Sequence, residues 1–124
     1  MIKIKSAEEI AIMRKAGAIT RDTLLLLEKN IKPGVTTKQL DDLAYSFIVR
    51  NKAIPSFLNY GGFPATICAS VNDQVVHGIP NDEPLKEGDI ISIDVGACYK
   101  GYHGDSARTF AVGKISSDKQ KLID

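Results

Sequence analysis

Asp89-Ile90-Ile91-Ser92-Ile93-Asp94-Val95-Gly96-Ala97, Cys98-Tyr99-Lys100-Gly101 and Tyr102-His103-Gly104-Asp105-Ser106-Ala107-Arg108-Thr109-Phe110-Ala111-Val112 read in succession as a strand, a four-residue hairpin connection and a second strand. Folded about the midpoint of Tyr99 and Lys100, this hairpin sets Asp94 directly opposite Asp105 on one side of the sheet, with Cβ atoms about 4.5–5.5 Å apart. A register moved by one residue on each strand leaves them diagonal neighbours, still on that side. Like charges in either relation repel unless a proton or a cation sits between them. Neighbours expected on that side, among them Ile90 and Ala107, are apolar or small, so water is expected to screen the pair poorly. Two hard oxygen ligands on rigid strands are a sound foundation for a divalent metal site. Spacing alone leaves open a pair of ordinary surface acids on a solvated sheet face.

Two helices precede the hairpin. Ser6-Ala7-Glu8-Glu9 has the form of a capping box and opens a helix running to about Asn30. Ile10, Met13, Gly17, Leu24, Leu27 and Ile31 form its apolar stripe, weak around Thr20, and Lys32-Pro33-Gly34 stops it. Thr36-Thr37-Lys38-Gln39 opens a second helix in the same way, with Leu40, Leu43, Ala44, Phe47 and Ile48 on one buried face. Both read as scaffold. Asn59-Tyr60-Gly61-Gly62-Phe63-Pro64 is then a loop with two aromatics, Thr66 to Val71 a strand, Gln74 to His77 a short strand, and Gly78 to Pro84 a loop. Helices followed by an antiparallel sheet make the class α+β. Ser116-Ser117-Asp118 is a good helix start, and the expectation is a chain that stops inside that helix.

The 124 residues are 44% hydrophobic and 25% charged, which predicts one soluble domain with one core. A net charge of +1 gives no electrostatic case for nucleic acid, membrane or polyanion partners. Cys68 and Cys98 lack any CxxC spacing and read as free thiols of a reducing compartment. Met1 to Ser6 has no long apolar stretch, so neither signal peptide nor membrane span is expected, and the default location is cytoplasmic.

Asp94-Val95-Gly96 and the run from Gly101 to Phe110 resemble the two aspartate-bearing strands of the pita-bread metallopeptidases. Val71-Asn72-Asp73-Gln74-Val75-Val76-His77-Gly78-Ile79-Pro80 resembles the preceding strand and loop of the bacterial-type (type I) methionine aminopeptidases. Lys32 to Thr37 and Leu40-Asp41 resemble their helix connection, and the likeness runs from about Ile4 to the last residue. It implies that residues 1–124 are the amino-terminal half of that fold, with the carboxy-terminal half absent.

The resemblance implies that Asp94 chelates one metal of a two-metal centre and Asp105 bridges both. A histidine and two glutamates of the carboxy-terminal half complete the family's site, and those positions do not exist here. The implied cofactors are two divalent ions (manganese, iron, cobalt or zinc), with weak or absent occupancy on two carboxylates alone. His77 is similar to the family histidine that lines the site near the substrate amide, a catalytic and substrate-binding role. Tyr60, Phe63 and Cys68 match positions of the methionine pocket, and Phe57 a neighbouring one. Phe63 stands where tyrosine is frequent and Phe57 where some relatives carry cysteine; plain core packing is the other reading of both. His103 reads as structural.

The implied activity is removal of the initiator methionine from nascent polypeptides whose next residue is small, with the 124 residues inactive alone. A non-catalytic binding module of the same fold is disfavoured by the presence of both Asp94 and Asp105. A proline-directed aminopeptidase is disfavoured because Ser6 opens the first helix too early for an additional domain. An apolar exposed half-domain face, and self-association through it, are also expected.

Overall fold

The computed structural model describes residues 6–58, 60–72 and 78–114. The expected strand Gln74–His77 and the helix start at Ser116 lie outside the described residues. Helix α1 spans Ala7–Asn30 and α2 spans Thr37–Arg50, and both open on the capping boxes that the sequence predicts. Ser6 Oγ accepts the Glu9 N–H while Glu9 Oε1 accepts the Ser6 N–H, both at 3.1 Å. Thr36 and Gln39 repeat the exchange. Glu9 also accepts the Tyr102 hydroxyl, tying the first turn of α1 to the hairpin.

Four strands follow: β1 (Ile54–Pro55), β2 (Ile67–Val71), β3 (Ile90–Tyr99) and β4 (Tyr102–Ala111), all antiparallel to β3 where they meet it. Along one edge of β3, β1 covers Cys98 and Ala97 and β2 covers Val95 to Ile91; β4 takes the other edge. The connection between β1 and β2 leaves the sheet beside Gly96 and includes a 3-10 turn at Tyr60–Gly62.

One sheet face is dry. Ile91, Ile93, Val95 and Ala97 point into a core shared with Ile19, Leu24 and Leu27 of α1 and Leu40, Ala44 and Ile48 of α2. The stripe on α1 differs from the expected one at its amino-terminal end and in its middle. Ile10 and Met13 are 41% and 37% exposed, while Thr20 and Thr23, in the weak stretch, are fully buried. Local bonds make that burial tolerable: Thr23 Oγ1 donates to Ile19 O at 2.7 Å and Thr20 Oγ1 to Gly17 O at 2.8 Å. Among the described residues no helix is long and apolar enough to cross a membrane, and both cysteines are free thiols.

The hairpin is tighter than expected. Tyr99 pairs with Tyr102, so the connection is Lys100-Gly101 alone, both at positive φ (49° and 86°) as a two-residue type I′ turn requires. β3 therefore runs two residues further toward the turn, to Tyr99, while β4 begins at Tyr102 as expected, and residues pair when their numbers sum to 201 rather than 199.

A buried acid, whose structural role the helical pattern does not announce, anchors β2. Asp41 Oδ1 on α2 accepts the N–H groups of Thr66 and Ile67, each at 2.8 Å. Burial pushes its carboxyl up from the ordinary range, and those two N–H groups pull it partly back. Asp41→Ala leaves both buried donors orphaned and should cost roughly 2–6 kcal/mol, about 1–3 per donor, in denaturant unfolding.

Gly104 on β4 marks the closest approach of helix to sheet. A Cβ there would stand 2.8 Å from Ala16 C and Gly17 N of α1, backbone atoms that cannot swing aside. Gly104→Ala should destabilise the chain by about 1–3 kcal/mol in thermal or denaturant melts. Gly17→Ala, whose Cβ meets nothing within 4 Å, should be neutral or stabilising by up to about 1 kcal/mol. The reverse order would mean that α1 does not lie on β4 as described.

Candidate functional site

The observed register settles where the two aspartates stand. Asp94 pairs with Ala107 and Asp105 with Gly96, so the carboxylates are diagonal neighbours rather than directly opposed. They share a sheet face because the side-chain period of a strand is two, but their separation is nearer 7–8 Å between backbones, about the diagonal spacing. The surroundings also differ from the expectation. Asp94, Asp105 and Ala107 are exposed, and the same face carries Ser70, Ser92 and Thr109, with Ser92 Oγ 3.0 Å from Thr109 Oγ1. The neighbours are small, as expected of Ala107, but several are hydroxyl-bearing rather than apolar.

Burial, and after it the negative charge of Asp105, pushes the Asp94 carboxyl above its ordinary range. A divalent cation between the two would turn that repulsion into attraction, so the pair suits a hard metal. Among the described residues no group of three or more His, Cys, Asp or Glu stands together as a metal cage. The described residues thus offer two oxygen-bearing arms.

Cys68 on β2 pairs with Asp94 across the strands. It also lines, with Asp94, a cavity of about 510 Å³ whose other walls include Phe57, Phe63, Pro64 and Ile79. The rings of Phe57 and Phe63 meet edge to face, centroids 6.5 Å apart at 85°. Three of the four sequence-predicted pocket residues, Phe57, Phe63 and Cys68, are therefore brought together with the metal candidate Asp94. Tyr60 begins the 3-10 turn in the same loop. His77 lies outside the described residues.

The wall residues Pro64 and Ile79 carry no functional assignment in the sequence reading. Ile79 had an available signal, since it closes the quoted Val71–Pro80 motif. His103 pairs with Cys98 across the strands, and its Nδ1 lies 3.0 Å from Ser56 Oγ. It lines, with Ser56, Phe57, Gly104 and Asp105, a second cavity of about 470 Å³.

Comparison with known proteins adds an independent line. Residues 11–124 match the family described as Metallopeptidase family M24. The methionine aminopeptidase of Clostridium acetobutylicum is 59% identical over 124 residues, covering 99% of this chain and 50% of the relative. Methionine aminopeptidase 1 of Bacillus subtilis is 55% identical over 124 residues, 100% of this chain and 50% of the relative. The crystal structure of methionine aminopeptidase from Rickettsia prowazekii superposes with a TM-score of 0.93 at 46% identity, covering 99% of this chain and 50% of that one. The chain thus spans about half the length of the relatives it matches.

The raised Asp94 carboxyl gives a pH prediction for the metal-free chain. Folding favours its protonated form, so this contribution to stability is full below the unfolded value near 3.8 and is lost as pH rises through the higher folded value. Asp94→Asn should therefore melt above the wild-type chain at pH 7 and level with it at pH 3. A lower melting temperature for the variant at pH 7 would show that a partner stabilises the carboxylate.

Proposed function

This chain belongs to metallopeptidase family M24, and from that premise we propose that its site is the amino-terminal half of a centre that removes amino-terminal methionine from polypeptides. One observation carries the reading: Asp94 stands both in the wall of the apolar cavity and beside Asp105 on the open sheet face. A side chain seated between Phe57, Phe63 and Cys68 therefore brings its own backbone to the carboxylates.

The chemistry of the cavity suits methionine. A long unbranched thioether needs an apolar, polarisable slot, and two aromatic rings with a cysteine sulfur provide it. Asp94 and Asp105 would hold the divalent ions, which when bound supply an activated water at neutral pH and polarise the scissile carbonyl. Asp94, reaching into the cavity wall, also offers a negative partner for a charged amino terminus. Aromatic walls exclude water from the side-chain slot and fix the substrate's register, so that its first peptide bond is the one presented. His77, in the motif Val76-His77-Gly78, is proposed to face that bond and hold its amide. The partners are then amino termini of nascent polypeptides beginning with Met and a small second residue, in a reducing cytoplasm where Cys68 stays a thiol.

Two carboxylates leave most coordination positions to water, so the 124 residues alone should be inactive. The test is hydrolysis of a Met-Ala-Ser peptide with Mn²⁺ or Co²⁺, by the chain alone and with the complementary carboxy-terminal half of a methionine aminopeptidase. Turnover only with the complement, reduced roughly 100-fold or more by Asp94→Ala, is the expected result. Turnover by the chain alone that Asp94→Ala abolishes would mean that the remaining ligands come from a second copy. No turnover in either mixture would overturn the reading.

A further inference from the structure

Phe57 lines both the cavity of about 510 Å³ that contains Asp94 and the cavity of about 470 Å³ that contains Ser56, His103 and Asp105. Phe57 is a wall residue common to the two. What seats the ring there is an absence on β3. Gly96 lies on the open sheet face between Asp94 and Cys98, and a Cβ at that position would stand 3.2 Å from Phe57 Cε1 and 3.0 Å from Ser56 Cβ. Both distances are tighter than ordinary carbon contacts, so a side chain at this position would have to displace something.

Ser56 is poorly placed to move. Its N–H donates to Gly96 O at 3.0 Å, and its Oγ lies 3.0 Å from His103 Nδ1. The half-buried Phe57 ring meets Phe63 edge to face. A side chain at position 96 would therefore press on Ser56 and on the Phe57 ring, and the ring would have to shift by a few tenths of an ångström or more from its seat on β3.

We propose that Gly96 is a specificity-determining position: by lacking a side chain it seats the Phe57 ring as a partition between two cavities, and the partition limits the accepted amino-terminal side chain to one about as slim as methionine's. This rests on the reading of the first cavity as the slot for that side chain. With the ring in place, a flexible thioether fits beside it, while an aromatic side chain would need the space behind it. With the ring removed, the two cavities become one recess wide enough for phenylalanine. Gly96 acts only through Phe57, so it is a positioning residue.

The test is binding of L-methioninamide and L-phenylalaninamide to the 124-residue chain, followed by ligand-observed NMR, for wild type, Gly96→Ala, Phe57→Ala and the double variant. Far-UV circular dichroism and the amide NMR spectrum check that each variant is folded. The wild-type chain should prefer methioninamide. Phe57→Ala should shift the preference at least about tenfold toward phenylalaninamide, and Gly96→Ala should weaken methioninamide about tenfold, the effect expected of a misplaced wall in an apolar slot. In the Phe57→Ala background, Gly96→Ala should lose most of its effect on the ratio, because the ring it displaces is gone. If wild type prefers methioninamide and Phe57→Ala leaves the ratio unchanged, the partition is overturned while the slot stands. An unfolded Gly96→Ala chain leaves that decision to Phe57→Ala. Binding of neither amide by wild type overturns the slot and the partition together.

Discussion

Two residues with positive φ, Lys100 and Gly101, set the phase of everything carried on the sheet. A two-residue turn fixes which β4 residue faces each β3 residue, and the side-chain period of two then assigns every residue to a face. Asp94, Gly96 and Cys98 share the open face with His103, Asp105 and Ala107, while Ile91, Ile93, Val95 and Ala97 go to the core. Moving β4 by one residue against β3 would send Asp105 toward α1 and Ser106 outward. Such a slip is blocked from the other side, because Gly104 is the residue that lets the backbone of α1 approach β4. Ser106 likewise meets Thr20 across that contact at 3.2 Å.

The walls of the cavity depend on a second feature of β3, the hand-over of its edge from β1 to β2. Between Ala97, which β1 covers, and Val95, which β2 covers, Gly96 O accepts the Ser56 N–H, and beyond that bond the chain leaves the sheet. The departing segment brings Phe57 and Phe63 over the open face, and β2 returns with Cys68 opposite Asp94. Asp41 fixes the return by accepting two N–H groups at the approach to β2 and its first residue. The carboxylates thus sit on rigid strands, whereas the apolar walls sit on a loop whose two ends are pinned.

Much of this was legible in the residues. Both capping boxes, the stop after Asn30, the hairpin and the shared side of Asp94 and Asp105 follow from local chemistry, which tertiary structure has no reason to override. The errors have one cause in common. The apolar stripe reads as weak around Thr20, yet Thr20 and Thr23 are buried and each bonds a carbonyl of its own helix. The anchoring role of Asp41 went unread because its two donors lie 25 and 26 residues away in sequence. The hairpin connection was drawn two residues too long because Lys100, an L-residue at φ 49°, is not a usual occupant of its turn position. In each case the missing fact was a polar partner or a backbone state that no periodicity records.

The same distinction separates what stabilises this fold from what the fold is arranged to do. The caps, the Asp41 anchor and the Gly104 contact all place a polar group with its partner or fit surface to surface. Asp94 does the opposite: it is partly desolvated next to another negative charge, which raises its carboxyl and makes the open face locally unfavourable at neutral pH. Nothing in the packing requires an acid at either position, since both are exposed and the residues paired with them on the hairpin, Ala107 and Gly96, are small. Two adjacent acids with no structural use, beside a cavity of aromatic and thiol walls, are best understood through what they would attract. A divalent cation relieves the repulsion that the sheet imposes, and the rigidity that makes the pair unfavourable when empty is what would hold it ready when filled.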